Sequence, residues 1–388
     1  MNRTDGTRRP THQDWLRQEE VRLLEFPHSV VGADGGAVLL DRRGAAAGAP
    51  APTFVTARMA HVHAIAALRG HRGAREIAAA LLQRLGELGN ESWPDLAMEP
   101  ERPRSLYTLD FVLLAAAGGV AIGAPGAGRL LDRALDRLDV AFWDAQAGLG
   151  VDRVDAAGEW GAYRGINGNM HLVEALFAVD AAIGAPDLSA RAVDISRFVI
   201  DKASHRDQRI VEHYDADWGP RPDHNRDRPD HPFLPYGSTV GHGFEWARLI
   251  AQADGLPGTQ GFLSAASALF ERAASDGWAR DGRDGFLYTV DWNGEPVSRR
   301  RLHWVAGEAI AAASVLARSA EPSADAADWY ERVLDHVRTE FVDPEHGSWI
   351  HELDVEPDGK PDLYHAMTAV LTPQLPIATS LIAAVRSD

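Results

Sequence analysis

Apolar residues recur at helical spacing along nearly the whole chain, in stretches separated by short breaks rich in Gly, Pro and Asp. The pattern predicts helices near 12–25, 56–69, 74–88, 106–120, 127–141 and 168–184. A second half follows in the same style, near 187–202, 238–252, 258–275, 303–317, 325–341 and 366–386. Strand signals are few and short, chiefly Gly285 to Asp291 and Ser348 to Val355.

The connections echo one another. GFLYTVDWNGEP (285–296) and GSWIHELDVEPDGKP (347–361) each follow a predicted helix, pass through a short aromatic strand and close on a Gly/Pro turn; GLGVDRVDAAGEW (148–160) is a shorter version. Histidines open the helices that come next, at His171, His303 and His365, and His242 stands at the start of the helix over 238–252. The four are spaced by roughly 60–70 residues, the length of one helical hairpin with its loop. Six such hairpins can close on themselves, one helix of each pair inside and the other outside, so the expected fold is an all-α (α/α)6 barrel with short β-hairpin-like loops at the active-site end. An open solenoid uses the same repeat but would spread the histidines along a line. No Gly/Ser-rich linker divides the chain, so 1–388 reads as one domain, with 1–11 as a flexible N-terminus.

Composition narrows the partners. Hydrophobic residues make up 45% and charged residues 24%, enough for a large core. A formal net charge of −17 argues against nucleic acid and anionic membrane surfaces. With no cysteine there is no thiolate catalysis, disulfide or thiolate metal site. The N-terminal stretch lacks a signal-peptide apolar core and the longest apolar run, Phe111 to Ala124, is too short to span a bilayer, so a cytoplasmic protein, monomer or homodimer, is expected.

The segment YGSTVGHGFEWARL (236–249) concentrates the chemistry. His242 sits at a helix start and Glu245 lies three residues on, on the same helical face, as acid–base equipment would. RGINGNMHLVEA repeats the arrangement with His171 and Glu174, preceded by Asn167 and Asn169, amides able to bond hydroxyls. His303 with Trp304 and Glu308 is a third; His365 has Asp362 before it. Arg58 is a cation on an apolar helix, either an ion-pair partner or a site residue. Glu174 and Glu245 could orient histidines, bind substrate or pair with an arginine. The proline-rich segment 218–235 is placed either to wall the pocket or to run free in solvent. No tight metal-ligand spacing occurs, so neither metal nor other cofactor is expected; phosphate-binding glycine loops are also absent.

These motifs in this order, Arg58 with HVH, NGNMHLVEA, GHGFEWARL, HWVAGEAI and DLYHAM, resemble the N-acylglucosamine 2-epimerase superfamily, and within it the mannose isomerase group, from about residue 15 to 380. The resemblance implies an (α/α)6 barrel and a cofactor-independent aldose–ketose isomerase on free monosaccharides, interconverting D-mannose and D-fructose and accepting lyxose. It further implies that His242 and His365 form the acid–base pair, Arg58 contacts the reacting oxygens, His171 assists ring opening, and Asn167, Glu245, Tyr107 and Trp304 line the pocket. Phe111, Glu174 and His303 join the candidate substrate contacts. Phe233 and Leu234 stand where some members carry an arginine, which disfavours an anionic sugar. The alternatives are a 2-epimerase of mannose/glucose, cellobiose or N-acylglucosamine type, a glycoside hydrolase on the same barrel using Asp110, Asp152 or Glu245, and a non-enzymatic binding scaffold.

Overall fold

The computed structural model describes residues 11–89, 93, 104–155, 157–231, 233–356 and 358–388; the expected flexible segment 1–11 lies outside them except for Thr11. Thr11 caps α1 (His12–Glu25) in a reciprocal box with Asp14. Hairpins follow in order: α2 (Thr53–Leu68) with α3 (Ala74–Leu88), and α4 (Leu106–Ala121) with α5 (Ala127–Arg137). Next come α6 (Ile166–Ile183) with α7 (Pro186–Ser204), and α8 (Val240–Gln252) with α9 (Phe262–Gly277). The last are α10 (His303–Arg318) with α11 (Ala324–His336), α12 (Tyr364–Leu371) and α13 (Leu381–Ser387).

The even-numbered helices α2 to α12 pack side by side in a closed ring, and each of α3, α5, α7, α9 and α11 packs outside its hairpin partner. Sequence dictates this sorting. The inner helices are apolar around most of their circumference and bury nearly every residue, as a helix with neighbours on all sides must. The outer ones bury a single stripe, Ala78, Leu81, Leu82 and Leu85 in α3 for example. The sixth pair joins the two ends of the chain, with α1 as the outer helix of α12. One hydrophobic core runs from Trp15 to Ala384. Close approach is built in at Gly118 and Gly119 of α4, where added Cβ atoms would lie 2.9 Å from Ala64 Cβ and 2.6 Å from Leu82 Cδ1.

Two expectations are corrected. The helix expected over 366–386 is broken: Pro373 sits in a single 3₁₀ turn, Thr372–Gln374, and Pro376 follows before α13 starts. The strand expected over 285–291 shrinks to Thr289–Val290, and 348–355 forms only isolated bridges, Val342 to Trp349 and Leu302 to Glu352. The short strands share one logic. The residues just before an inner helix pair, antiparallel, with the loop that follows the next inner–outer pair or precedes it. Arg104–Ser105 pairs with Arg153–Val154, Arg164–Gly165 with His213–Tyr214, and Ser238–Thr239 with Thr289–Val290. This belt fixes the inner-helix N-termini at one end of the barrel. Among the described residues no helix is long and apolar enough to cross a membrane.

Candidate active site

A cavity of about 690 Å³ opens at the end where those N-termini converge, within the size range of small-molecule sites. Of the residues singled out from the sequence, Arg58, Tyr107, Asn167, His171, His242, Glu245, His303, Trp304, Asp362 and His365 line it, as does Asp152; Phe111, Glu174, Asn169, Glu308 and Asp110 do not. Phe111 lies behind the wall, its ring under the Arg58 guanidinium at 4.3 Å and 4.7 Å from the His171 ring. Glu174 is buried beneath the floor, accepting from the Tyr364 hydroxyl and facing Arg248 at 3.6 Å. Both stand behind the residues that line the cavity.

Arg58 projects from the second turn of α2. One Nη donates to Asp362 Oδ2 at 3.2 Å and the other to the Tyr107 hydroxyl at 2.6 Å. Burial opposes its charge, but Tyr107 and Asp362 outweigh burial and its pKa is raised, so it is a permanent cation. Its Nε–H is buried with no hydrogen-bond partner among the described residues.

The histidine–carboxylate pairs expected within each helix are not those that form. His242 donates from Nδ1 to Glu212 at 2.9 Å, not to Glu245; Glu212 lies in the extended segment before His213 and also accepts the Thr239 N–H at 3.1 Å. His365 donates from Nδ1 to Glu308 Oε1 at 2.9 Å, across from α12 to α10, while Asp362 serves Arg58. Glu308 therefore does not serve His303, whose Nδ1 meets the His351 carbonyl at 3.2 Å. Burial raises the pKa of both Glu212 and Glu308, yet their facing partners prevail: His242 lowers Glu212, and Arg248 with the hydrogen bond to His365 lowers Glu308. Two ionised carboxylates thus hold Nδ1–H on two imidazoles, leaving each Nε2 for the cavity. The Trp304 ring lies 5.5 Å from His242 and 5.7 Å from His365, so both imidazoles face one indole. Burial, then the nearby Arg58, keeps the pKa of His365 below the ordinary imidazole value despite Glu308.

His171 is buried, its ring against Tyr107 and Phe111. Burial, then the charges of Arg58, His365, His242 and Arg248, hold its pKa well below 6.5, so it is neutral. Its Nδ1 lies 3.7 Å from Glu245 Oε1, and neither atom has a hydrogen-bond partner among the described residues. Burial and the neighbouring Glu308 raise Glu245 well above the carboxylate range, which makes it a carboxylic acid.

Beneath the histidines Glu174, Glu245 and Glu308 form a layer of acids around one arginine. Arg248 reaches Glu308 at 2.9 Å and the other two at 3.6 Å. Donor atoms of His171, Glu174 and Glu245, and of Glu245, Glu308 and His365, lie within 4.8 Å of one another, a metal-like grouping. The guanidinium already stands where a cation would, so the chemistry of this donor set is satisfied from within the chain. Asn167 faces the cavity, whereas Asn169 spends its amide on the Gly150 and Gly165 backbone. Of the segment 218–235, Phe233, Leu234 and Pro235 wall the cavity, and His213 Nε2 donates to the Pro235 carbonyl at 2.8 Å. Glu212, Arg248, His351 and Tyr364 escaped the sequence reading. Only the recurrence of an acid three to five residues after His171, His242 and His303 pointed towards this layer.

Fold and site together define an (α/α)6-barrel protein whose pocket gathers imidazoles and one fixed cation at the inner-helix N-termini. The chain belongs to the N-acylglucosamine 2-epimerase (GlcNAc 2-epimerase) family, whose model matches residues 35–369. A D-mannose isomerase of Thermobifida fusca is 40% identical over 406 aligned positions, covering 97% of this chain and 98% of that protein. A D-mannose isomerase of Pseudomonas cannabina pv. alisalensis is 38% identical, covering 97% and 96%. The crystal structure of a D-mannose isomerase superposes with a TM-score of 0.86 at 24% identity, covering 93% of this chain and 97% of that one.

Proposed function

We propose that the protein is an aldose–ketose isomerase that interconverts D-mannose and D-fructose. The observation that carries this reading is the pair of imidazoles, His242 and His365, each held at Nδ1 by an ionised carboxylate beside a permanent guanidinium. Two full-length relatives named for that reaction add to it.

The open-chain aldose loses a proton from C2 and regains one at C1 through a cis-enediol. His365, resting neutral with Nε2 free, takes the C2 proton; Glu308 stabilises the imidazolium that forms. Negative charge grows on O1 and O2, where Arg58, the Tyr107 hydroxyl and the positive ends of the inner helices are aimed. Return of the proton by His365 to C1 on the same face, with the O2 hydroxyl proton passed to O1, gives the ketose. His242 serves the sugar oxygens from the other side of the cavity, and neutral His171 exchanges the hydroxyl proton as the ring opens. If His242 instead returned a proton to the opposite face of C2, the product would be the 2-epimer.

Purified protein incubated with D-mannose should release fructose, and in deuterated water should place deuterium at the exchanging carbon. Glucose without fructose would overturn isomerisation in favour of 2-epimerisation. Inactivity on monosaccharides with release of reducing ends from an oligosaccharide would favour a hydrolase.

A further inference from the structure

Two aspartates that this mechanism leaves idle lie together at the edge of the cavity between α4 and α6. Asp110, in α4, is 1% exposed, and neither of its carboxylate oxygens has a hydrogen-bond partner among the described residues. Asp152 lines the cavity, positioned by its carbonyl, which accepts the Leu106 N–H at the head of α4 at 2.9 Å. Its carboxylate rests on Gly165, the residue before α6; a Cβ there would meet Oδ1 at 2.7 Å, so glycine makes room for the acid. Asn167, at the start of α6, lines the same wall, and its Oδ1 is buried without a hydrogen-bond partner among the described residues. Buried acceptors left without donors are costly, and such groups beside a cavity are ready for a donor that the cavity brings.

The charge state suits that role. Burial and the adjacent Asp152 push Asp110 well above the carboxylate range. Burial raises Asp152 to about 6 against the opposing pull of Arg153 and Arg164. Two such neighbours do not ionise together, so near neutrality Asp110 carries the proton and Asp152 the charge. Arg153 Nε, 3.5 Å from Asp152 Oδ2, already balances that charge and disfavours a second cation. Neutral hydroxyl donors are what the wall still lacks.

We propose that Asp152 and Asn167 form a hydroxyl-binding subsite for the end of the sugar remote from C1 and C2, with Asp110 backing Asp152 from behind. The proposal rests on the isomerase reading. The reacting carbons lie by Arg58 and by His365 of α12, while Asp152 and Asn167 stand on the loop and first turn leading into α6, across the ring from α12. Asp152 is thereby a specificity residue, taking the hydroxyl on C4 or C6.

The test combines Asp152→Asn with 4-deoxy- and 6-deoxy-D-mannose, reading kcat and KM separately. For the unaltered protein, one deoxy sugar should lose ~100-fold or more in kcat/KM, the size expected when a buried acceptor is stranded. Asp152→Asn should raise KM for mannose ~10-fold or more with kcat within about threefold, and should flatten the penalty for that same deoxy sugar to a few-fold. Both deoxy sugars turning over within about twofold of mannose on the unaltered protein would overturn the subsite, whether or not the variant folds. So would an unchanged KM in a folded Asp152→Asn protein. No turnover of mannose by the unaltered protein overturns the isomerase reading itself, and the subsite with it.

Discussion

At His242 the supporting carboxylate, Glu212, comes from an extended segment at the barrel rim and divides its oxygens between the imidazole and one backbone N–H. At His365 it comes from the neighbouring inner helix, and Glu308 is shared with the buried guanidinium of Arg248. The first dyad is tied to the wall that carries Pro235, through the adjacent His213. The second is tied to the acid layer under the floor. Equal first neighbours therefore sit in unequal surroundings. The rim dyad can adjust with the loop, whereas the floor dyad is fixed by a desolvated ion network and keeps its imidazole neutral at rest. A base that must be neutral before it acts and charged after it acts belongs in the second position.

That contrast breaks or sharpens under substitution. His365→Asn should lower kcat by ~10⁴-fold and abolish deuterium exchange at C2, at the upper end of what general acid–base catalysis contributes. His242→Asn should cost ~10²-fold and retain slow exchange; equal losses in turnover and exchange would erase the division of labour. Glu308→Gln should lower kcat by ~10²-fold or more with KM little changed, because the imidazolium loses its counter-charge. Glu212→Gln should cost about tenfold, and a larger loss there than at Glu308 would reverse the assignment.

The pH profile gives a smaller signal. A base must be deprotonated to act, so kcat/KM holds above the pKa of His365 and falls as pH drops through it. Because that pKa is lowered, the acid limb should lie below the ordinary imidazole range, and Glu308→Gln, which removes a hydrogen bond that raises it, should move the limb lower still. Stability has its own acid limb away from the chemistry. His61 and His63, buried in α2, have pKa values lowered from 6.5 to about 4 by burial. Between those limits the unfolded chain binds more protons than the folded one, so stability falls as pH falls, on the order of 3 kcal/mol for each histidine by pH 4. Thermal unfolding of His63→Gln should show a shallower decline over that interval.

The barrel was legible because its repeat is written in apolar periodicity and in the loops before each histidine. Arg58, His171, His242, His303 and His365 were legible for the same reason: each occupies an equivalent turn, and closing the ring brings equivalent turns together. The partners of those residues were not. Glu245 stands one turn below His242 in sequence terms, yet it meets His171 on the neighbouring helix. Glu308 meets His365 rather than His303. Periodicity says which face of a helix turns inward, but not the rotation of one helix against the next, and that rotation decides which acid reaches which imidazole. Glu212 stands immediately before a two-residue strand, His213–Tyr214, whose pairing depends on register with the residues before α6, which no local pattern announces. The break at Pro373 was readable and was overrun by the apolar run around it.

Ring closure also sets an order of events as the protein is made. Arg58 is synthesised early, but the aspartate that anchors it stands 304 positions later, and α1 has no inner partner until α12 exists. While the ribosome is still at work the first hairpins can stack on one another with the Arg58 guanidinium loose and the pocket open on one side. Competence therefore arrives in one step with the segment from Asp362 through α12, and a growing chain that still lacks it has an open ring and an unanchored Arg58.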